Sequence, residues 1–144
     1  MALWLLVSLL LGGPQSAAAS TETLAGWWRI SDEVESTNYA GFRGLRLEYR
    51  VKFRQEGVWL FGEGEKVAEH GRPLPASRRK PISIVGSIAG SSVTASLFEE
   101  GHRRESQGEF TWTVSEDRSR MAGTFWSDAA RSRGTSLAER LTAR

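Results

Sequence analysis

The sequence predicts an all-β fold, a single eight-stranded antiparallel up-and-down barrel, and three observations predict it. Between Leu45 and Phe53, apolar Leu45, Leu47, Tyr49, Val51 and Phe53 alternate with charged Arg46, Glu48, Arg50 and Lys52. Period-two alternation gives a strand one dry face and one wet face, as in an antiparallel sheet. Other short segments of strand character lie on either side at regular spacing, the pattern of a sandwich or barrel built from hairpins. Glycines also fall inside these segments, at Gly62, Gly64, Gly86, Gly108 and Gly123, as in tightly bent barrel strands. Closing such a meander removes two exposed edges. At eight strands the interior is either filled or just wide enough for one small ligand.

From the N-terminus, residues 1–19 differ from the rest: they carry no charge, and Leu3 to Leu11 is apolar. Gly12-Gly13-Pro14 and Ala17-Ala18-Ala19 follow, so the segment reads as a signal peptide cleaved after Ala19. It is about half the roughly 20 apolar residues that cross a bilayer. A buried helix or a retained anchor is the alternative, and no Lys or Arg precedes Leu3. Export, to the periplasm or as a secreted protein, is the expectation, with residues 20–144 as one barrel domain. The strands expected after Leu24–Ile30 and Leu45–Phe53 are Gly57–Ala68, Ile82–Ile88, Val93–Phe98, Gln107–Val114, Met121–Ser127 and Thr135–Leu141. Ser136–Arg144 reads equally as a short helix. The turns are Gln55-Glu56-Gly57, Gly90-Ser91 and Ser115 to Ser119, and Arg72 to Lys80 is a proline-containing loop.

Lys and Arg number 19 against 17 Asp and Glu, a balance of +2, too slight to argue for a nucleic-acid partner. With no cysteine there is no disulfide, Cys-type zinc site, thiol nucleophile or lipid-bearing cysteine. The fold must be held by its core and by strand closure.

At Leu24-Ala25-Gly26-Trp27-Trp28 the chain resembles the first strand of the calycins, the lipocalin and avidin barrels, which begin with Gly-x-Trp, here Gly26-Trp27-Trp28. In lipocalins that tryptophan closes one end of the barrel beneath a basic residue following the last strand. The resemblance therefore implies a barrel-closing role for Gly26, Trp28 and Arg140, with a cation–π contact as its physical basis. The resemblance runs over about Leu24 to Leu141, mostly as strand spacing. The long outer helix and the cysteines of lipocalins have no counterpart here, and the avidin biotin-binding set does not map residue by residue.

The aromatic residues are the main chemical signal. If Tyr49, Phe53, Trp59, Phe61, Trp112 and Phe125 point inward, they line an apolar cavity with indole and phenol donors to orient a ligand; otherwise they fill the barrel. The inward phase of residues 57–68 decides Trp59 and Phe61 in this set. Glu63, Glu65, Glu69 and His70 end the third strand, where carboxylates normally reach water; turned inward, Glu63 or Glu65 could act as a general base. Two histidines, His70 and His102, have no ligand spacing, no nucleophile elbow or phosphate loop occurs, and neither metal nor cofactor is expected. The expectation is non-covalent binding of a small hydrophobic or amphipathic molecule, not enzymatic turnover. The alternatives are a filled-barrel envelope interaction module, or a barrel enzyme using an internal carboxylate. Arg72, Arg78, Arg79 and Lys80 are either a solvated loop or a contact for an anionic membrane or envelope partner. The sequence sets no oligomeric state.

Overall fold

Alternation along each strand produces a wall with one lined interior. The computed structural model describes residues 23–101 and 105–142; the expected signal peptide, residues 1–19, and His102 lie outside them. The strands are β1 (Gly26–Ser36), β2 (Arg46–Glu56), β3 (Trp59–Glu69), β4 (Arg72–Pro73), β5 (Pro81–Ala89), β6 (Ser92–Glu99), β7 (Ser106–Val114), β8 (Arg120–Ser127) and β9 (Ser132–Arg140). Each long strand pairs antiparallel with its neighbours in the chain, β5 taking its place beside β3, and β1 pairs with β9. The result is a closed eight-stranded up-and-down barrel, with β4 a two-residue addition to the end of β3. Of the C-terminal segment open to either strand or helix, the part up to Arg140 is strand, within β9.

One end of the barrel is a packed floor. Trp28 is fully buried, its Nε1–H donates to the Leu24 carbonyl at 2.9 Å, and its ring meets Phe53 edge-on at 6.2 Å. The Arg140 guanidinium lies 4.7 Å from the centroid of the Trp28 ring. It also donates to the carbonyls of Ala25 at 2.7 Å, Thr23 at 2.8 Å and Arg118 at 3.0 Å. The Arg118 carbonyl is held out by the β7–β8 turn. There Asp117 accepts hydrogen bonds from the Ser119 hydroxyl and amide and the Ser115 hydroxyl, which lower its carboxyl to about 2. One side chain thus ties the N-terminal segment, the last strand and a hairpin turn across the β1–β9 seam. Gly26, with φ +122°, occupies a backbone region that side chains rarely adopt, and faces the same guanidinium.

The structure corrects two of the expected inward aromatics. Trp59 is 52% exposed and Phe61 also lies on the outer wall, with Arg54 over its ring at 4.6 Å. The two-residue connection Gly57-Val58, with Gly57 at φ +58°, pairs Glu56 with Trp59 and hence Phe53 with Gly62. Directly opposed residues share a face, so inward Phe53 sends Gly62 and Leu60 inward and Trp59 and Phe61 outward. The interior has no room for a further side chain there: a Cβ on Gly62 would meet the Phe53 ring at 2.7 Å.

Arg140→Ala is expected to cost about 2–4 kcal/mol in urea unfolding, from charge-assisted hydrogen bonds and the ring contact together. Arg140→Lys should recover little, because an ammonium cannot lie over the ring and bond three carbonyls at once. A lysine variant as stable as the parent would remove the clamp from the account.

Candidate functional site

Above the floor the barrel opens. The loops joining β1 to β2, β4 to β5 and β8 to β9, with Glu100, Gly101 and Ser106 beside the ends of β6 and β7, surround this end, and a cavity of about 260 Å³ lies among them. Its walls are mainly apolar, with Val34, Leu47, Leu97, Phe110 and Phe125 pointing inward and Phe42 reaching over from the β1–β2 loop. That loop is anchored across the mouth: the Asn38 amide donates to the Ala130 carbonyl at 2.8 Å. Ala130 and Arg131 both have positive φ, 52° and 47°, a cost accepted in a turn that presents this carbonyl.

The six expected ligand-lining aromatics separate into three pairs. Tyr49 and Phe125 line the cavity. Phe53 and Trp112 are buried below it as floor packing, Trp112 stacked 4.3 Å from Phe110. Trp59 and Phe61 are outside. Glu63 and Glu65 also face outward, and Glu65 pairs with Arg79 at 3.2 Å, so neither is the internal carboxylate of the enzyme reading. The basic loop is divided in the same way: Arg79 bonds Glu65 and the Leu74 carbonyl, and Lys80 sits at the cavity mouth.

Sequence reasoning missed the polar residues of the interior. Asp32, 3% exposed, is the third inward position of β1, after Trp28 and Ile30. It lies opposite Ser136 of β9, which lies opposite Gly123 of β8, which lies opposite Trp112 of β7. With only a hydrogen at Gly123, the Trp112 indole reaches across β8 and donates from Nε1 to Ser136 Oγ at 3.0 Å. Ser136 in turn hydrogen-bonds the Asp32 carboxyl. Asp32 Oδ1 is buried and has no hydrogen-bond partner among the described residues. Burial raises this carboxyl from 3.8 to about 7; the Ser136 hydrogen bond opposes the rise and the Glu99 charge adds to it.

A second polar group comes from a bulge. β3 pairs Tyr49 with Lys66 but Glu48 with Ala68, leaving Val67 unopposed. The extra residue places both Lys66 and Glu69 on the inner face, where Lys66 Nζ bonds Glu99 at 2.7 Å and approaches Glu69 at 3.6 Å. Burial, followed by the charges of Glu99, Asp32 and Glu69, pushes the Tyr49 phenol well above its ordinary value. The cavity therefore has an apolar wall, an engaged lysine and a buried carboxyl with a free acceptor. Among the described residues no cluster of His, Cys, Asp and Glu could hold a metal ion.

A carboxyl raised in the fold stabilises it while protonated. That contribution is complete below about pH 4 and is lost as pH rises through about 7. Asp32→Asn should therefore gain stability relative to the parent across that window, by up to a few kcal/mol, and the gain should level off above it. Paired thermal melts from pH 4 to 8 measure this difference; a difference independent of pH would place Asp32 in water.

Compared with known proteins, the chain matches no family model, no curated protein and no solved structure.

Proposed function

We propose that this protein is an exported binding barrel of calycin type that takes a small hydrophobic or amphipathic molecule through its open end, without covalent chemistry. The observation that carries this reading is the cavity of about 260 Å³ above a packed floor. Apolar pockets with a few polar groups are the usual form of small-molecule sites. The Gly26-Trp27-Trp28 start, with Arg140 over Trp28, adds the feature by which the chain resembles lipocalins, and residues 1–19 supply the expected export signal. A ligand hiding about 200 Å² of apolar surface gains about 5 kcal/mol before ordering costs. Burial alone then gives affinity of about millimolar, so tighter binding needs a polar anchor.

A second reading, a protein-contact module working through its outer wall, is favoured by one observation. Val58, Trp59 and Val85 are each more than 40% exposed on or beside β3 and β5, and apolar surface of this kind is a common contact site.

1-Hexanol followed by amide chemical shifts separates the two. Shifts are expected around Leu47, Phe110 and Phe125; Leu97→Trp, which fills the cavity, should abolish them, and Trp59→Ala should leave them intact. Shifts confined to the wall around Trp59 would favour the contact module.

A further inference from the structure

We infer that the cavity selects a small amphipathic amine, its nitrogen donating to Asp32 Oδ1 while its apolar body lies against Leu47, Leu97, Phe110 and Phe125. This inference deepens the binding reading above and rests on it.

Hydrogen-bond valence sets what the ligand must bring. Trp112 can only donate, and it donates to Ser136 Oγ. The Ser136 hydroxyl has one proton, and it is engaged with the Asp32 carboxyl. The relay ends on an acceptor that nothing within the described structure fills. A buried acceptor without a partner is costly, and more so when ionised. A ligand that brings a donor to this point removes that cost, and one that brings another acceptor adds to it.

The lysine inside the cavity does not supply this donor, because Lys66 is held by Glu99 and Glu69. Burial, and after it the charges of Glu99, Asp32 and Glu69, raise the phenol of Tyr49, and among the described lining residues carboxyls outnumber lysines. An ammonium gains from that excess, and a fatty carboxylate is repelled by it. The size of the space sets the other limit: about 260 Å³ suits a short chain or single ring.

Among the described residues, the charged and titratable groups that share the cavity with Asp32 on β1 are Tyr49 from β2, Lys66 and Glu69 from β3, Lys80 before β5, and Glu99 and Glu100 at the end of β6. Among them Asp32 is the carboxyl held near neutrality. An amine binds its ionised form, so amine affinity rises as pH rises through about 7 and the bound complex releases a proton.

The test is calorimetry of the purified protein with three matched probes, n-hexylamine, 1-hexanol and hexanoate. At about pH 8 the amine should bind about tenfold more tightly than the alcohol, with hexanoate weakest, as one charge-assisted hydrogen bond requires. Asp32→Asn should remove about tenfold from the amine and leave the alcohol within about twofold. If that variant does not fold, the parent protein carries the test: amine affinity should fall between about pH 8 and 6 while the alcohol's stays level. Equal binding of amine and alcohol, or an amine profile flat with pH, overturns the amine selection and leaves the cavity reading standing. Failure of all three probes to bind overturns the cavity reading and this inference with it.

Discussion

Closure of the sheet at the β1–β9 seam is the constraint on which everything else depends. A closed eight-strand wall has one interior, and whatever its strands point inward must fill it or line it. The seam joins the first strand to the last, at large sequence separation, so its register fixes both ends of the barrel. Trp28 opposite Arg140 sets the floor, and Asp32 opposite Ser136 sets the polar row above it. A shift of one residue would turn Asp32 to solvent and a neighbouring charge inward. The Arg140 clamp, which bonds three carbonyls from outside the strands it joins, is the local device that resists such a shift.

Given that register, the division of the interior follows from side-chain size. Trp28, Phe53, Leu60, Met121 and Ala138 pack without space, helped by glycine where a ring needs room, as at Gly62 beneath Phe53. Gly123 does the same for Trp112, and its backbone lies so close to β7 that a Cβ would meet the Thr111 carbonyl at 1.8 Å. Nearer the mouth, the inward positions carry acids, a lysine and medium-sized apolar chains that do not meet in the centre. The polar row at Asp32 is the boundary between filled and open. A protein that only needed a packed core would be more stable with an apolar residue there.

Much of this was legible in the sequence. The alternation from Leu45 to Phe53 locates β2 and its inward face, and the turns at Gln55-Glu56-Gly57, Gly90-Ser91 and Ser115 to Ser119 locate the β2–β3, β5–β6 and β7–β8 hairpins. The aromatic residues of β3 leave its phase open, although counting across the two-residue turn from Phe53 gives Leu60 and Gly62 as the inward pair. Asp32 was overlooked because a charge in an inward position reads as the end of a strand; β1 instead continues to Ser36, and Val34 resumes the apolar phase. The bulge at Val67, which turns Lys66 and Glu69 inward, leaves no mark in the local pattern of Lys66-Val67-Ala68-Glu69. In each case the missing information was the partner strand, since burial of a polar residue is decided by what stands opposite.

Both the seam register and the site depend on Asp32 being held in a dry interior at the base of the cavity. The ¹³Cγ chemical shift of Asp32, followed from about pH 3 to 9 in the ligand-free protein, reads its ionisation directly. A midpoint near 7 is the predicted result, since burial outweighs the Ser136 hydrogen bond. A midpoint near the ordinary 3.8 would mean that water reaches the carboxylate, and would contradict both the register of the seam and the site built on it.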